Sequence, residues 1–137
     1  MFKIIPIQTI SEQKRIAELC DAECREGFFA YAMLDFDTLD VMGFSQFEIN
    51  GELGYIADIK ERVGNDDFEA MFILARQTMN FIDTCGAHKC KMAEDAATER
   101  LSLAVGFKKD GDGYSCDMTG MFDGNCSSEP LNLDKMK

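Results

Sequence analysis

The chain has 137 residues, 46% of them apolar with 11 Phe and 9 Met, which is enough for one ordinary core in a single domain. Its 14 Lys and Arg face 25 Asp and Glu, a formal net charge of −11. That acidity, with no Lys/Arg cluster, argues against nucleic acid and anionic membrane as partners and leans weakly toward a cationic or amine partner. No apolar run approaches the roughly 18 residues of a membrane span. The opening MFKIIPIQTI is broken too early by Pro6 for a signal peptide, so a cytoplasmic protein with mostly reduced cysteines is expected.

Residues 2–7, FKIIPI, read as a short strand, with Pro6 marking an edge or a strand end. Ser11 is the expected cap of a helix running to about Glu26, with Ile16, Leu19, Cys20 and Glu23 at helical spacing and Gly27 as the stop. FFAYAMLDF (28–36) reads as a strand. A turn at Asp37 to Asp40 leads to VMGFSQFEI (41–49), its hairpin partner. Asn50-Gly51 is the type I′ turn dipeptide, and ELGYIADIKERV (52–63) is then a long third strand. Residues 28–63 thus predict a three-stranded antiparallel meander.

A long helix follows, from about Asp66 to Thr84. Phe68, Met71, Phe72, Leu74, Ala75, Met79 and Ile82 give it a broad apolar face that reads as core, and Gly86 ends it. HKCKM (88–92) is a short strand. AEDAATERLSLAV (93–105) is a helix with Leu101, Ala104 and Val105 facing in. GFKKDGDGYSCDMTGMF (106–122) makes two strands around Asp110 to Gly113. From Asp123 the chain is polar and without period, a loose tail over 123–137. The order β α β β β α β α β β predicts one α/β (α+β) domain over residues 1–122. It has a mixed central sheet of about seven strands with helices on both faces.

The stretch LSLAVGFKKDGDGY (101–114) has a helix ending in Gly106-Phe107, then a strand, a turn and a final strand. With this element order, the chain resembles the GNAT superfamily of acetyltransferases. A glycine at this point allows the left-handed conformation that ends a helix, and Phe107 then drops into the core. The resemblance implies acetyl-CoA as cofactor, between the third meander strand and the central helix. The matching positions are Ile59, Glu61, Val63, Gly64, Asn65 and Phe68. It implies a strand carboxylate, Glu61 or Asp58, or a bound water as proton acceptor, with Tyr55, Lys60 and Glu48 as further candidates, and Ser102 as a poor acid for the departing thiolate.

Three positions depart from the family. Its Gly-rich pyrophosphate loop is here RVGNDDFEAMF, with Gly64 alone remaining. Its helix tyrosine is Ser102, and its asparagine is Asp95. Asp66-Asp67-Phe68-Glu69 instead fits a capping box, with Asp66 as cap and Glu69 reaching back. These acids would meet an incoming pyrophosphate with like charge.

Cys85, His88 and Cys90, with Cys116 and Cys126 later, have zinc-ligand chemistry but not paired C-x-x-C spacing. In this fold Cys85 and Cys90 are expected as small buried residues, and no metal site is assigned. Cys20 and Cys24 share a helix face, with Cys20 buried. The leading functional expectation is an N-acetyltransferase acting from acetyl-CoA on a small or peptidyl amine acceptor. The alternative is a GNAT-fold protein that has lost coenzyme A and serves as a ligand-binding or interaction module. A zinc or redox protein ranks third. The oligomeric state stays open, a dimer included.

Overall fold

The computed structural model describes residues 1–122, so the expected tail, with Cys126, falls outside the described residues. Seven strands form one sheet: β1 (Phe2–Pro6), β2 (Phe29–Asp35), β3 (Val41–Asn50), β4 (Leu53–Glu61), β5 (Lys89–Ala93), β6 (Lys108–Asp110) and β7 (Gly113–Asp117). Their order is β1-β2-β3-β4-β5-β7-β6. Three helices join them: α1 (Ile10–Leu19), α2 (Phe68–Thr84) and α3 (Glu99–Ala104). β4 and β5 run parallel with α2 as the crossover, and the other pairs are antiparallel.

Helices cover both faces, as the residue order predicts. On one face Ile16 and Ala17 of α1, with Cys20 just after it, pack on Ala32, Val41 and Phe44. On the other, Met71, Leu74, Met79 and Ile82 of α2, with Leu101 of α3 and Val105 just after it, pack on Phe47, Ile56, Ile59, Met92 and Phe107. Strand alternation in β3 sorts the two layers: Phe44 faces α1, while the Ser45 hydroxyl meets Thr78 of α2 at 2.8 Å.

Several helix and turn boundaries move, each for a local reason. Thr9, not Ser11, caps α1, accepting from the Glu12 N–H. The helix ends at Leu19 rather than Glu26 because Asp21 takes the left-handed conformation at φ 52. The Asp21 and Ala22 N–H groups then bond the carbonyls of Glu18 and Ala17, the double bond pattern that closes a helix end. In the β3–β4 turn Asn50 pairs with Leu53, and Gly51 takes positive φ while Glu52 does not. That is the type II′ pattern rather than type I′.

α3 starts after its cap Thr98, so residues 93–98 are not helical. The shorter helix exposes Ala104 and buries Ser102 instead. Its end is as expected: Gly106 sits at φ 117, Phe107 is 2% exposed, and the Phe107 N–H bonds Ser102 O at 3.0 Å. The closing hairpin occupies only 108–110 and 113–117 of the 106–122 stretch.

Candidate active-site cleft

Strand β4 outruns its parallel neighbour. Pairing with β5 covers Leu53 to Ile56 only. At Ala57 the register against β3 slips, with Phe47 opposite Ile56 and Gln46 opposite Asp58. Past the bulge, β4 continues to Glu61 without β5. The turn after β5 reaches across instead. Ile59 N–H donates to Ala96 O at 2.8 Å, and the Lys60 ammonium donates to the Asp95 carbonyl.

Beyond these bonds opens a cleft of about 490 Å³. Ile59, Lys60 and Glu61 of β4 form one wall, Asp66, Phe68 and Met71 at the start of α2 form the second, and Ala97, Thr98, Arg100 and Leu101 form the third. The lining is mixed: apolar side chains in the depth, charged groups at the mouth. That is the usual composition of a small-molecule site.

The capping box is corrected here. Asp67, not Asp66, is the N-cap, and its Oδ1 accepts from Ala70 N–H at 3.0 Å. The reach back comes not from Glu69 but from Glu61, whose Oε2 accepts the Asp67 N–H at 2.6 Å. A turn through Gly64, at φ 97, brings α2 back beside the end of β4 and makes that contact possible. Among the described residues, no protein acceptor takes the Phe68 or Glu69 N–H, the next two donors of the helix start.

Of the positions matched to cofactor binding, Ile59, Glu61 and Phe68 line the cleft. Val63, Gly64 and Asn65 lie in the exposed turn leading to α2 and outside the lining. Asp58 is on the α1 face and 4% exposed. Its Oδ2 accepts from Arg25 Nε at 2.7 Å and from Gln46 Nε2 at 2.8 Å. Gln46 in turn accepts from Gln13 Nε2 and from the Arg25 N–H, so this buried network ties α1 and the segment after it to the sheet. The Asp58 carboxylate holds the Arg25 guanidinium above its ordinary pKa. Ser102 is fully buried, with its hydroxyl donating to Thr98 O at 3.0 Å and resting on Met92 Sδ, and it does not line the cleft.

Arg100 is the residue that sequence reasoning missed. Its guanidinium lies 3.9 Å from the centre of the Phe68 ring. Nothing in the spacing of a lone arginine on an acidic segment marks it; only the fold brings it to Phe68. The cysteines also depart in part from expectation. Cys90 is buried, but Cys85 is exposed as the C-cap of α2. His88 pairs with Asp83 at the same end. Among the described residues, no group of three Cys, His, Asp or Glu side chains is placed to hold a metal ion, and no helix is long and apolar enough to cross a membrane.

Neither a protein-family model nor a curated protein matches the sequence. Solved structures do match the fold. YhhK from E. coli, an N-acetyl transferase candidate solved with coenzyme A bound, is 14% identical with a TM-score of 0.66, over 85% of this chain and 98% of that one. The chain has the GNAT fold. IAA acetyltransferase from Bacillus cereus ATCC 14579 matches with a TM-score of 0.66 at 15% identity, over 81% of this chain and 79% of that one. The ribosomal-protein-S18-alanine N-acetyltransferase from E. coli matches with a TM-score of 0.63 at 12% identity, over 84% of this chain and 90% of that one. At such identities the likeness is one of GNAT architecture, and the chemistry has to be argued from the cleft.

Proposed function

We propose that this GNAT-fold chain is an N-acetyltransferase that moves an acetyl group from acetyl-CoA to a small or peptidyl amine. The observation that carries the reading is the bulged end of β4, which leaves β5 and opens onto the cleft at the start of α2. Ile59, Met71 and Leu101 supply apolar walls that exclude water from an acyl chain. The free N–H groups of Phe68 and Glu69 point out of a helix start, where an anionic group is favoured. Acetyl-CoA supplies the activated thioester when bound.

The acceptor amine then has to lose a proton. Asp58 stands one residue past the bulge, and its Oδ2 takes both the Arg25 and the Gln46 bonds. Oδ1 accepts no hydrogen bond among the described residues, which makes Asp58 the strand carboxylate to test as proton acceptor, reached from the α1 face because it lies outside the cleft lining. Glu61, the other strand carboxylate, is engaged with the α2 N-terminus. The acidic surface suits a cationic acceptor.

Thermal melting with and without millimolar acetyl-CoA, at low and moderate salt, tests the reading. A ligand at about 100 times its Kd adds roughly 2.7 kcal/mol to the native state and raises the midpoint by several degrees. No shift at either salt overturns it. The fold is then a module without coenzyme A, the reading that the Glu61 carboxylate at the α2 N-terminus favours.

A further inference from the structure

The α2 start keeps only the Phe68 and Glu69 N–H groups for a phosphate. Asp67 and Glu61 side chains already take two N–H groups there and add negative charge. A donor with an anionic end needs a cation from elsewhere. Two cations line the cleft. Lys60 spends one of its three donors on the Asp95 carbonyl, whereas Arg100 donates to no protein acceptor among the described residues.

Arg100 is exposed at the mouth and, among the described residues, makes no ion pair, although the chain carries 25 carboxylates. Among the described residues its one partner is the Phe68 ring, 3.9 Å away. This cation–π contact takes up none of the guanidinium's hydrogen-bond donors. The five N–H donors lie in its plane and stay free at the edge, in the fork that matches two phosphate oxygens. The ring contact holds the guanidinium at the cleft and lowers the ordering cost of using it.

We infer that Arg100, oriented by Phe68, is the anchor for the phosphorylated nucleotide end of the acyl donor, replacing a main-chain cradle with a side chain from α3. The inference rests on the proposed reading of the cleft as a donor site. It assigns to one arginine what the element order alone assigns to a loop. It also makes binding more dependent on salt and on that single side chain.

Calorimetric titration of the full chain with two probes tests it: coenzyme A, and 3′,5′-adenosine diphosphate, which carries phosphates without the thiol arm. Arg100→Gln is expected to weaken both by about tenfold or more, the range of a charge-assisted hydrogen-bond pair. Arg100→Lys is expected to recover only part of the loss, because an ammonium has no planar fork. Melting curves of both variants check that the fold is intact, and the lysine variant serves if the glutamine variant is poorly folded. Equal binding of both probes to wild type and Arg100→Gln overturns the anchor and leaves the donor reading standing. Arg100-dependent binding of the diphosphate without binding of coenzyme A keeps the anchor and overturns the donor reading. Binding of neither probe by wild type overturns both.

Discussion

Glu61, the last residue of β4, accepts the main-chain N–H of Asp67 at 2.6 Å, so the sheet itself caps α2. The contact supports the helix and also places a carboxylate where an anionic ligand would come. Glu61→Gln separates the two effects, because an amide oxygen still accepts the N–H. Loss of the charge–dipole part is expected to lower stability by only about 0.3–1 kcal/mol. Affinity for coenzyme A is expected to rise by about fivefold to tenfold, since one nearby like charge is gone. Denaturant melts and calorimetry on one preparation check both. A fall in affinity with stability unchanged would mean that Glu61 helps bind the ligand.

Asp66 and Asp67 look interchangeable in sequence and are not in structure. Asp67 Oδ1 accepts from Ala70 N–H, and no hydrogen bond is made by the Asp66 side chain among the described residues. Asp67→Ala is expected to cost about 1 kcal/mol, the ordinary worth of an N-cap, while Asp66→Ala stays within about 0.5 kcal/mol of wild type. Urea unfolding of the two variants decides, and equal losses would contradict the assigned cap.

Asp58 combines a structural and a proposed chemical duty. Removing its charge leaves Arg25 without its carboxylate, while Gln46 Nε2 keeps its bond to Glu23 O. The Arg25 side chain is 35% exposed, so water offsets part of the loss. Asp58→Asn is therefore expected to cost about 1–3 kcal/mol rather than the full cost of breaking a buried pair. If Asp58 also takes the amine proton, turnover per folded molecule falls by about a hundredfold or more. Arg25→Gln is the control, since it disturbs the same network and spares the carboxylate. Equal turnover losses in both variants would leave Asp58 with a structural role alone.

The meander, the crossover helix and the Gly106-Phe107 ending were legible because each rests on short-range chemistry: alternation, helical spacing, and glycine where φ is positive. The end of α1 was not, because Asp21 does there what a glycine usually does, and Gly27 drew the boundary later. Ile59, Glu61 and Phe68 reached the cleft through the family resemblance, as positions flanking the β4–α2 turn, while Val63, Gly64 and Asn65, matched in the same way, lie outside its lining. Arg100 and the Ala96 contact could not be placed in this way. Both depend on how the turn after β5 folds across the widened end of β4, a long-range fact without a sequence period. The burial of Asp58 was hidden for the same reason, because its partner Arg25 lies 33 residues away.

The cysteines supply a test of the packing that is independent of the cleft. Burial pushes the Cys20 thiol up to about 12, and raises Cys90 and Cys116, which face each other across β5 and β7. At pH 8 a thiol reagent is expected to modify Cys85 at once and Cys24 more slowly. Cys20, Cys90 and Cys116 should react only after unfolding, with Cys126 replaced by serine to simplify the count. The pH dependence has a fixed sign. In the unfolded chain these thiols ionise near pH 8.5, whereas the native state keeps them protonated. Their contribution is whole below that pH and is lost as pH rises toward the folded values, about 12 for Cys20. Urea melts at pH 7, 9 and 10 are expected to show falling stability, with a shallower slope in Cys20→Ala. An unchanged slope in that variant would mean that the alkaline loss comes from other groups and that Cys20 is not sealed beneath α1.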